Sequence, residues 1–219
     1  MPGRTIAIGD IHGCAAALRA VLGAIDPQAE DTIVALGDYV DRGPDSRGVI
    51  DELLALEKRC RLVPLLGNHE VMLLEALVSP STLEPWKECG GEATLKSYGG
   101  RLDRIPPEHL DFIRRCRRYY ETATHFFVHA NYEADLPLDE QPDYLLFWEH
   151  LIFHTPRPHD NGKIAVVGHT AQRVGNVVDG GHFICIDTFC HGGGWLTALD
   201  VDSGTTWQAD LKGRLRAGR

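Results

Sequence analysis

The sequence predicts an α/β sandwich with mixed β-sheets flanked by helices. Short apolar runs of strand length alternate with helical patterns through the first part of the chain. Each early run ends in glycine and polar residues, and the later part is richer in β-like runs. In an open α/β sheet the ligand site lies beyond the carboxyl ends of the strands, so that polar punctuation is where function is sought.

Ile6–Ile8 reads as a strand and Ala15–Ile25 as an amphipathic helix. Thr32–Leu36 is a second strand, followed by the Gly/Asp/Pro-rich loop Gly37–Ser46 and a helix over Arg47–Arg59. Leu62–Leu66 is a third strand, with a helix over Val71–Leu77 after it. From Ser79 to Tyr120 the pairs Gly90-Gly91, Gly99-Gly100 and Pro106-Pro107, with Pro80 and Pro85, break long elements. A mainly helical insertion at 79–120, within a single domain of residues 1–219, is therefore expected. β-like runs return at Thr124–Val128, Ile164–Val167, Phe183–Ile186 and Leu196–Val201, with Thr205–Ala209 as a last strand.

With 43% hydrophobic and 24% charged residues and no low-complexity tract, the composition is that of a globular protein. The longest apolar stretches are strand-sized, so no membrane span is expected. The N-terminus runs into the first strand without the charged and apolar regions of a leader, and a cytoplasmic location is expected. Cys14, Cys60, Cys89, Cys116, Cys185 and Cys190 include no C-x-x-C pair and read as reduced, mostly buried thiols. A formal net charge of −9 argues against extended nucleic-acid binding. The one basic cluster, Arg114–Arg118, reads as a solvated helix face. The sequence leaves the oligomeric state open.

At the predicted strand ends stand Asp10 and His12, then Asp38, Asp41 and Arg42, then Asn68, His69 and Glu70, then His129, His169 and Asp187. All but Arg42 are side chains that bind a divalent cation or handle a proton, and a sheet would converge them. Gly9, Gly13, Gly37, Gly43, Gly67 and Gly168 flank them and permit sharp turns and close backbone approach. Carboxylate, carboxamide and imidazole without thiolate suit Mn²⁺, Fe or Zn²⁺ and are too nitrogen-rich for Ca²⁺. About six ligands suit two divalent metal ions better than one. A spacing of two along extended chain points Asp10 and His12 to the same side.

The motifs GDIHG, GDYVDRG and GNHE in that order, with VHA and GHT later, resemble the signature of the phosphoprotein phosphatase (PPP) metallophosphoesterases. The resemblance is greatest to small bacterial and phage members and runs from Ile6 to about Val201. It implies that Asp10 and His12 ligate one metal, that Asp38 bridges both, and that Asn68, His129 and His169 complete the second. Mn²⁺ is the expected ion. The implied reaction is hydrolysis of a phosphate ester by a metal-bridging hydroxide. His69 would be the general acid, Asp41 the carboxylate that orients it, and Arg42 the clamp on the phosphoryl oxygens.

The family pattern also leads to the expectation of a second phosphate-binding arginine between the last two ligand histidines, after a tryptophan. That stretch reads FWEHL, which places Glu149 and His150 there. Either His150 substitutes as a substrate-binding residue, or Arg157 or Arg173 reaches in, or the preferred substrate is not a simple monoester. Asn131 stands where glycine is more usual, and Thr188–Cys190 is an unusual sequence after Asp187. Gly90–Gly100 resembles a bacterial insertion segment and is expected to wall the metals.

Glu70 is expected at a helix N-terminus or behind the ligands, and Asp187 behind the ligands. His154, His159, His182 and His191 read as surface histidines, and Trp86, Trp148 and Trp195 as core or pocket wall. The leading function is a metal-dependent phosphatase acting on phosphoserine or phosphothreonine of proteins, with small phosphoesters accepted. The alternatives are a diadenosine tetraphosphate-type hydrolase and a catalytically silent phosphate-binding domain. The silent reading is the weakest, since no ligand of the motif set is missing.

Overall fold

A computed structural model describes residues 3–217. One five-stranded sheet has the order β10-β9-β1-β2-β3, formed by β1 (Thr5–Ile8), β2 (Thr32–Ala35), β3 (Arg61–Pro64), β9 (Leu196–Asp200) and β10 (Thr206–Ala209). The other has the order β4-β5-β6-β8-β7, formed by β4 (Tyr119–Glu121), β5 (His125–Val128), β6 (Ile164–Val167), β7 (Val178–Asp179) and β8 (Phe183–Cys185). Both sheets are mixed: β1, β2 and β3 run parallel, as do β5, β6 and β8, and the remaining pairings are antiparallel.

Alternation of side chains along each strand builds three layers of core. Ile6 and Ile8 of β1 pack with helix residues on the outer face of the first sheet, while Ala7 between them faces the second sheet. In β5, Phe126 and Val128 point outward and Phe127 inward, where it meets Ala7, Val34, Val63 and Val166. Burial on both faces explains why these strands read as unbroken apolar runs. Fully burying a side chain such as Phe127 contributes about 2–3 kcal/mol.

Helix α1 (Ala15–Ile25) places Leu18, Val21, Leu22 and Ile25 on one buried stripe and ends at Asp26 in a left-handed conformation, before Pro27. Helix α2 (Ser46–Leu56) is capped by Asp45, whose carboxylate accepts from Gly48 N at 2.8 Å. Helix α3 (Asn68–Val78) starts directly at the GNHE motif. The 79–120 stretch supplies α4 (Pro80–Trp86), a π-type turn (Lys87–Gly91), α5 (Glu92–Ser97) and α6 (Pro107–Arg114). Proline opens both α4 and α6, where its missing N–H costs nothing.

Three elements were not expected from the sequence: β4, β7 and α7 (Asp143–Trp148). They span three, two and six residues, too few for a periodic signal. The basic cluster also differs from a helix face. Only Arg114 belongs to α6, and Arg118 pairs with Asp143 at 2.7 Å while Arg115 pairs with Glu57. All six cysteines are free, with Cys89 exposed and Cys116 half-buried.

Among the described residues, no helix is long and apolar enough to cross a membrane.

Candidate metal centre

The sequence-predicted ligands meet at the carboxyl ends of β1, β2, β5 and β6 and at the start of α3. The chain turns there through backbone that L-residues seldom adopt. Among the described residues, seven non-glycines have positive φ, and six of them gather here: His12 (43°), Asp38 (51°), Asp41 (71°), Arg42 (65°), His169 (59°) and Phe189 (66°). Each costs roughly 1–2 kcal/mol that packing elsewhere must offset. A Cβ on Gly67 would lie 2.3 Å from Asp38 Oδ1, and one on Gly168 would lie 2.1 Å from Asp10 Oδ1, so both glycines admit a carboxylate.

Backbone carbonyls fix the imidazole tautomers. His12 Nδ1 lies 3.0 Å from Val40 O, and His129 Nδ1 lies 2.8 Å from Leu36 O, so both donate there and turn a bare Nε2 inward. His169 does the reverse, with Nε2 at 3.1 Å from Trp148 O and Nδ1 facing inward. The inward nitrogens face oxygen acceptors. His129 Nε2 and His169 Nδ1 each lie 3.1 Å from Asn68 Oδ1. Asp38 divides its oxygens between the two sides, with Oδ2 at 3.4 Å from His12 Nε2 and Oδ1 at 3.5 Å from His129 Nε2. Lone pairs facing lone pairs at such distances are the arrangement a cation relieves.

Two compact groups result, His12–Asp38–His69 and Asp38–His129–His169, each with ligand atoms within 4.8 Å of one another. Asp38 is common to both. Asp10 stands beside them rather than in the first trio, its carboxylate accepting from His169 N at 3.0 Å. His69 occupies that trio instead.

Electrostatics agree with a cation site. Burial drives His12 and His129 down and His169 down to about 3, which keeps all three neutral, the form that ligates. Burial and the nearby charges of Asp187 and Asp38 push the Asp10 carboxyl well up. Burial would also raise Asp38, but positive charge among the histidines around it, His129, His69, His12 and His169, outweighs burial and holds the carboxyl low, whether that charge is a proton or a cation. The donor set therefore fits divalent cations.

Behind the ligands, Glu70 is fully buried and its carboxylate accepts from the backbone N–H of Gly67, Asp38, Tyr39 and Val40 at 2.8–3.2 Å. It thus caps its own helix and braces the loop that carries Asp38. Asp187 is also buried, and its carboxylate accepts from Phe189 N at 3.0 Å.

His69 Nδ1 lies 2.7 Å from Asp41 Oδ2, and its Nε2 is buried without a hydrogen-bond partner. Burial opposes the His69 proton, yet Asp38 and Asp41 outweigh it and the pKa is raised. Asp41 is itself fully buried and held on three sides. Trp86 Nε1 donates to Oδ2 at 2.8 Å, and Thr94 Oγ1 donates to Oδ1 at 2.7 Å. The 79–120 stretch supplies none of the residues that line the cavity at the ligands, contrary to the expected wall; it instead holds Asp41 through Trp86 and Thr94, while Gly90 O accepts from Arg42 N at 3.1 Å. Sequence spacing gave no sign of Thr94, and Trp86 offered only the general need of a buried indole N–H for an acceptor.

A cavity of about 710 Å³ is lined by Asp38, Asn68 and His169 of the predicted ligand set and by the exposed Arg42. Arg42 Nη1 lies 3.2 Å from His12 Nε2. Trp148, His150, Ile152, Arg173, Phe189 and His191 form its walls. The His150 ring stacks on His169 with centroids 4.2 Å apart. Arg157 and Glu149 do not line it.

Two histidines expected on the surface lie elsewhere. His191 lines the cavity with its ring 4.6 Å from that of His12, and burial with the nearby Arg42 charge pulls it down to about 4. His159 is buried, and its Nε2 lies 3.0 Å from Leu136 O. Neither stands beside a motif that would have marked it. His154 and His182 are half-buried.

The profile of the calcineurin-like phosphoesterase family matches residues 3–202. Serine/threonine-protein phosphatase 1 of Salmonella typhimurium (strain LT2) is 37% identical over 137 residues, which are 58% of this chain and 58% of that protein. The symmetrical bis(5'-nucleosyl)-tetraphosphatase of Burkholderia pseudomallei (strain 668) is 38% identical over 85 residues, 39% of this chain and 29% of that protein. The chain thus spans little over half of the first curated relative and under a third of the second. A solved structure provisionally described as a diadenosine tetraphosphatase superposes with a TM-score of 0.73 at 25% identity, covering 95% of this chain and 94% of that one. With that profile matched over most of its length and the ligand residues gathered as described, the chain belongs to the calcineurin-like phosphoesterase family.

Proposed function

We propose that this chain is a metal-dependent phosphoesterase that hydrolyses phosphomonoesters, with phosphoserine and phosphothreonine of proteins as its first substrate class. The observation that carries the reading is the division of Asp38 between two groups of inward-facing imidazoles, one oxygen to each. Two cations held there by Asp10, His12, Asp38, Asn68, His129 and His169, with Mn²⁺ first and Fe or Zn²⁺ as substitutes, would lower the pKa of water and neutralise phosphoryl charge.

The remaining roles belong to the chain's own side chains. Arg42, in the lining of the cavity, holds non-bridging phosphoryl oxygens through its planar fork. His69, kept in one tautomer by Asp41, carries the proton for the leaving oxygen on Nε2. His150 lines the path by which substrate enters. The Salmonella relative's name supports the protein substrate class, and the 79–120 stretch is read as an insertion within a single domain.

Hydrolysis of dinucleoside polyphosphates is the second reading. It is favoured by the solved structure that matches over 94% of its own chain, and by a cavity lined by two arginines, Arg42 and Arg173. Turnover of a phosphopeptide, p-nitrophenyl phosphate and diadenosine tetraphosphate, measured side by side at fixed free Mn²⁺, tests both. Mn²⁺-dependent hydrolysis of the monoesters supports the first reading. A dinucleotide preference of orders of magnitude replaces it with the second, and no metal-dependent turnover on any substrate rejects both.

A further inference from the structure

Two guanidinium groups line the cavity, Arg42 and Arg173, and among the described residues neither forms an ion pair with a carboxylate. Arg42 is exposed, with Nη1 3.2 Å from His12 Nε2. Arg173 is also exposed, with its guanidinium over the Phe189 ring at 5.6 Å from the centroid. A protein of net charge −9 has many carboxylates that could have paired with it. A planar cation left unpaired in the lining of a site that handles phosphoryl groups is placed for an anion the substrate brings.

The support beneath Arg173 is built at a cost. Phe189 has φ 66° and ψ 45°, a left-handed conformation that a bulky aromatic residue seldom adopts. Its neighbours hold it there. Its N–H donates to Asp187 Oδ1 at 3.0 Å, and its carbonyl accepts from Gly194 N at 2.8 Å. A Cβ on Gly192 would come within 2.0 Å of the ring, so glycine is what leaves room for it. The segment bearing Arg173 is tied on both sides, with Gln172 N donating to Asp187 O and Gly175 N to Gln172 O, each at 2.8 Å. Asp187 thus anchors both the ring and the arginine's loop. A cation over an aromatic face gains about 0.5–1 kcal/mol at an exposed site, enough to bias the guanidinium's position without locking it.

We infer that Arg173, steadied by Phe189, is a second anion subsite that receives a phosphoryl group beyond the one held at the metal centre. This rests on the reading of the cavity as a phosphoester site and names the substrate feature it favours: two phosphoryl groups in one molecule. Such a pair occurs in a polyphosphate chain and in a peptide phosphorylated at adjacent residues.

The test is equilibrium binding, which reads the subsite whether or not turnover is fast. Inorganic phosphate and methylenediphosphonate, which the enzyme cannot cleave, are titrated into metal-loaded protein at fixed free Mn²⁺. Wild type is expected to bind the diphosphonate more tightly than phosphate. Arg173→Gln should weaken the diphosphonate by about 10-fold, as expected for one lost charge-assisted contact, with phosphate changed less than about 2-fold. Phe189→Gly, which also relieves the backbone strain, should give a smaller loss in the same direction. Equal affinity of wild type for the two ligands, an unchanged diphosphonate affinity in Arg173→Gln, or a parallel loss of both ligands would each overturn the inference.

The kcat/KM of Arg173→Gln on diadenosine tetraphosphate and on a doubly phosphorylated peptide then distinguishes the two sources. Selective loss on either supports the subsite and identifies its source, and loss on neither rejects it. Failure of wild type to hydrolyse any phosphoester, with the binding difference intact, would count against the proposed reaction alone.

Discussion

Trp86 Nε1 donates to Asp41 Oδ2 at 2.8 Å, and the same oxygen lies 2.7 Å from His69 Nδ1. One carboxylate oxygen is thereby fixed between an indole from α4 and the imidazole next to a metal-ligand candidate. With Thr94 on the other oxygen, Asp41 has no freedom to turn, and the His69 ring inherits its orientation. A residue some distance along the chain thus bears on the orientation of His69 through a buried carboxylate.

Trp86→Phe keeps the ring in the core and removes the N–H. Its kcat should fall by about 10-fold on alkyl phosphates and by less on p-nitrophenyl phosphate, whose leaving group needs little protonation. Loss of the hydrogen bond should lower stability by about 1–2 kcal/mol, measured by urea unfolding. An equal fall on both substrates would mean that Trp86 only fills the core.

His69→Asn removes the side chain proposed to carry the proton. The kcat for poor leaving groups should drop by about 10²–10⁴-fold, with a clearly smaller drop for p-nitrophenyl phosphate. Leaving-group dependence of kcat across a series of aryl phosphates checks this, and a variant with the same slope as wild type would count against an acid role.

How much of this could be read from sequence depended on how local each signal was. Ala15–Ile25 and Ile164–Val167 matched their elements end to end, because a long apolar stripe and a run buried on both faces each leave a clear periodic mark. The convergence of Asp10, His12, Asp38, Asn68, His129 and His169 was legible because each sits at a strand end beside a glycine or within a short motif, whereas the place of His69 in one compact group with Asp10 beside it was not. Trp86, Thr94, His191 and Phe189 were not. Their positions depend on how α4, α5 and the segment after β8 fold back over the site, a matter of tertiary packing that no spacing records. Arg173 was named only as one of several candidates, and the cavity separates it from Arg157.

Away from the site, Asp31 contributes to acid stability. Burial would raise its carboxyl, but the Arg4 guanidinium and the backbone N–H groups of Gln28 and Arg4 outweigh that and hold it down to about 2. A carboxyl depressed in the folded state stabilises the fold at pH above its unfolded value of about 4, and that contribution is lost as pH falls towards 2. Asp31→Asn should therefore cost roughly 1–2 kcal/mol at pH 7, allowing for the one-third exposure of Arg4, with the gap to wild type closing towards pH 2. Urea unfolding at a series of pH values measures it, and a constant gap across that range would count against the ion pair as its source.

Metal stoichiometry decides whether Asp38 joins two cations. Wild type and Asp38→Asn are loaded with Mn²⁺ at the same free concentration, freed of excess and analysed for metal per chain. Wild type should retain about two ions, and the variant should lose metal from both positions and all measurable turnover, since the shared carboxylate is gone. Two ions and unchanged turnover in Asp38→Asn, or none in wild type, would contradict the shared-carboxylate centre.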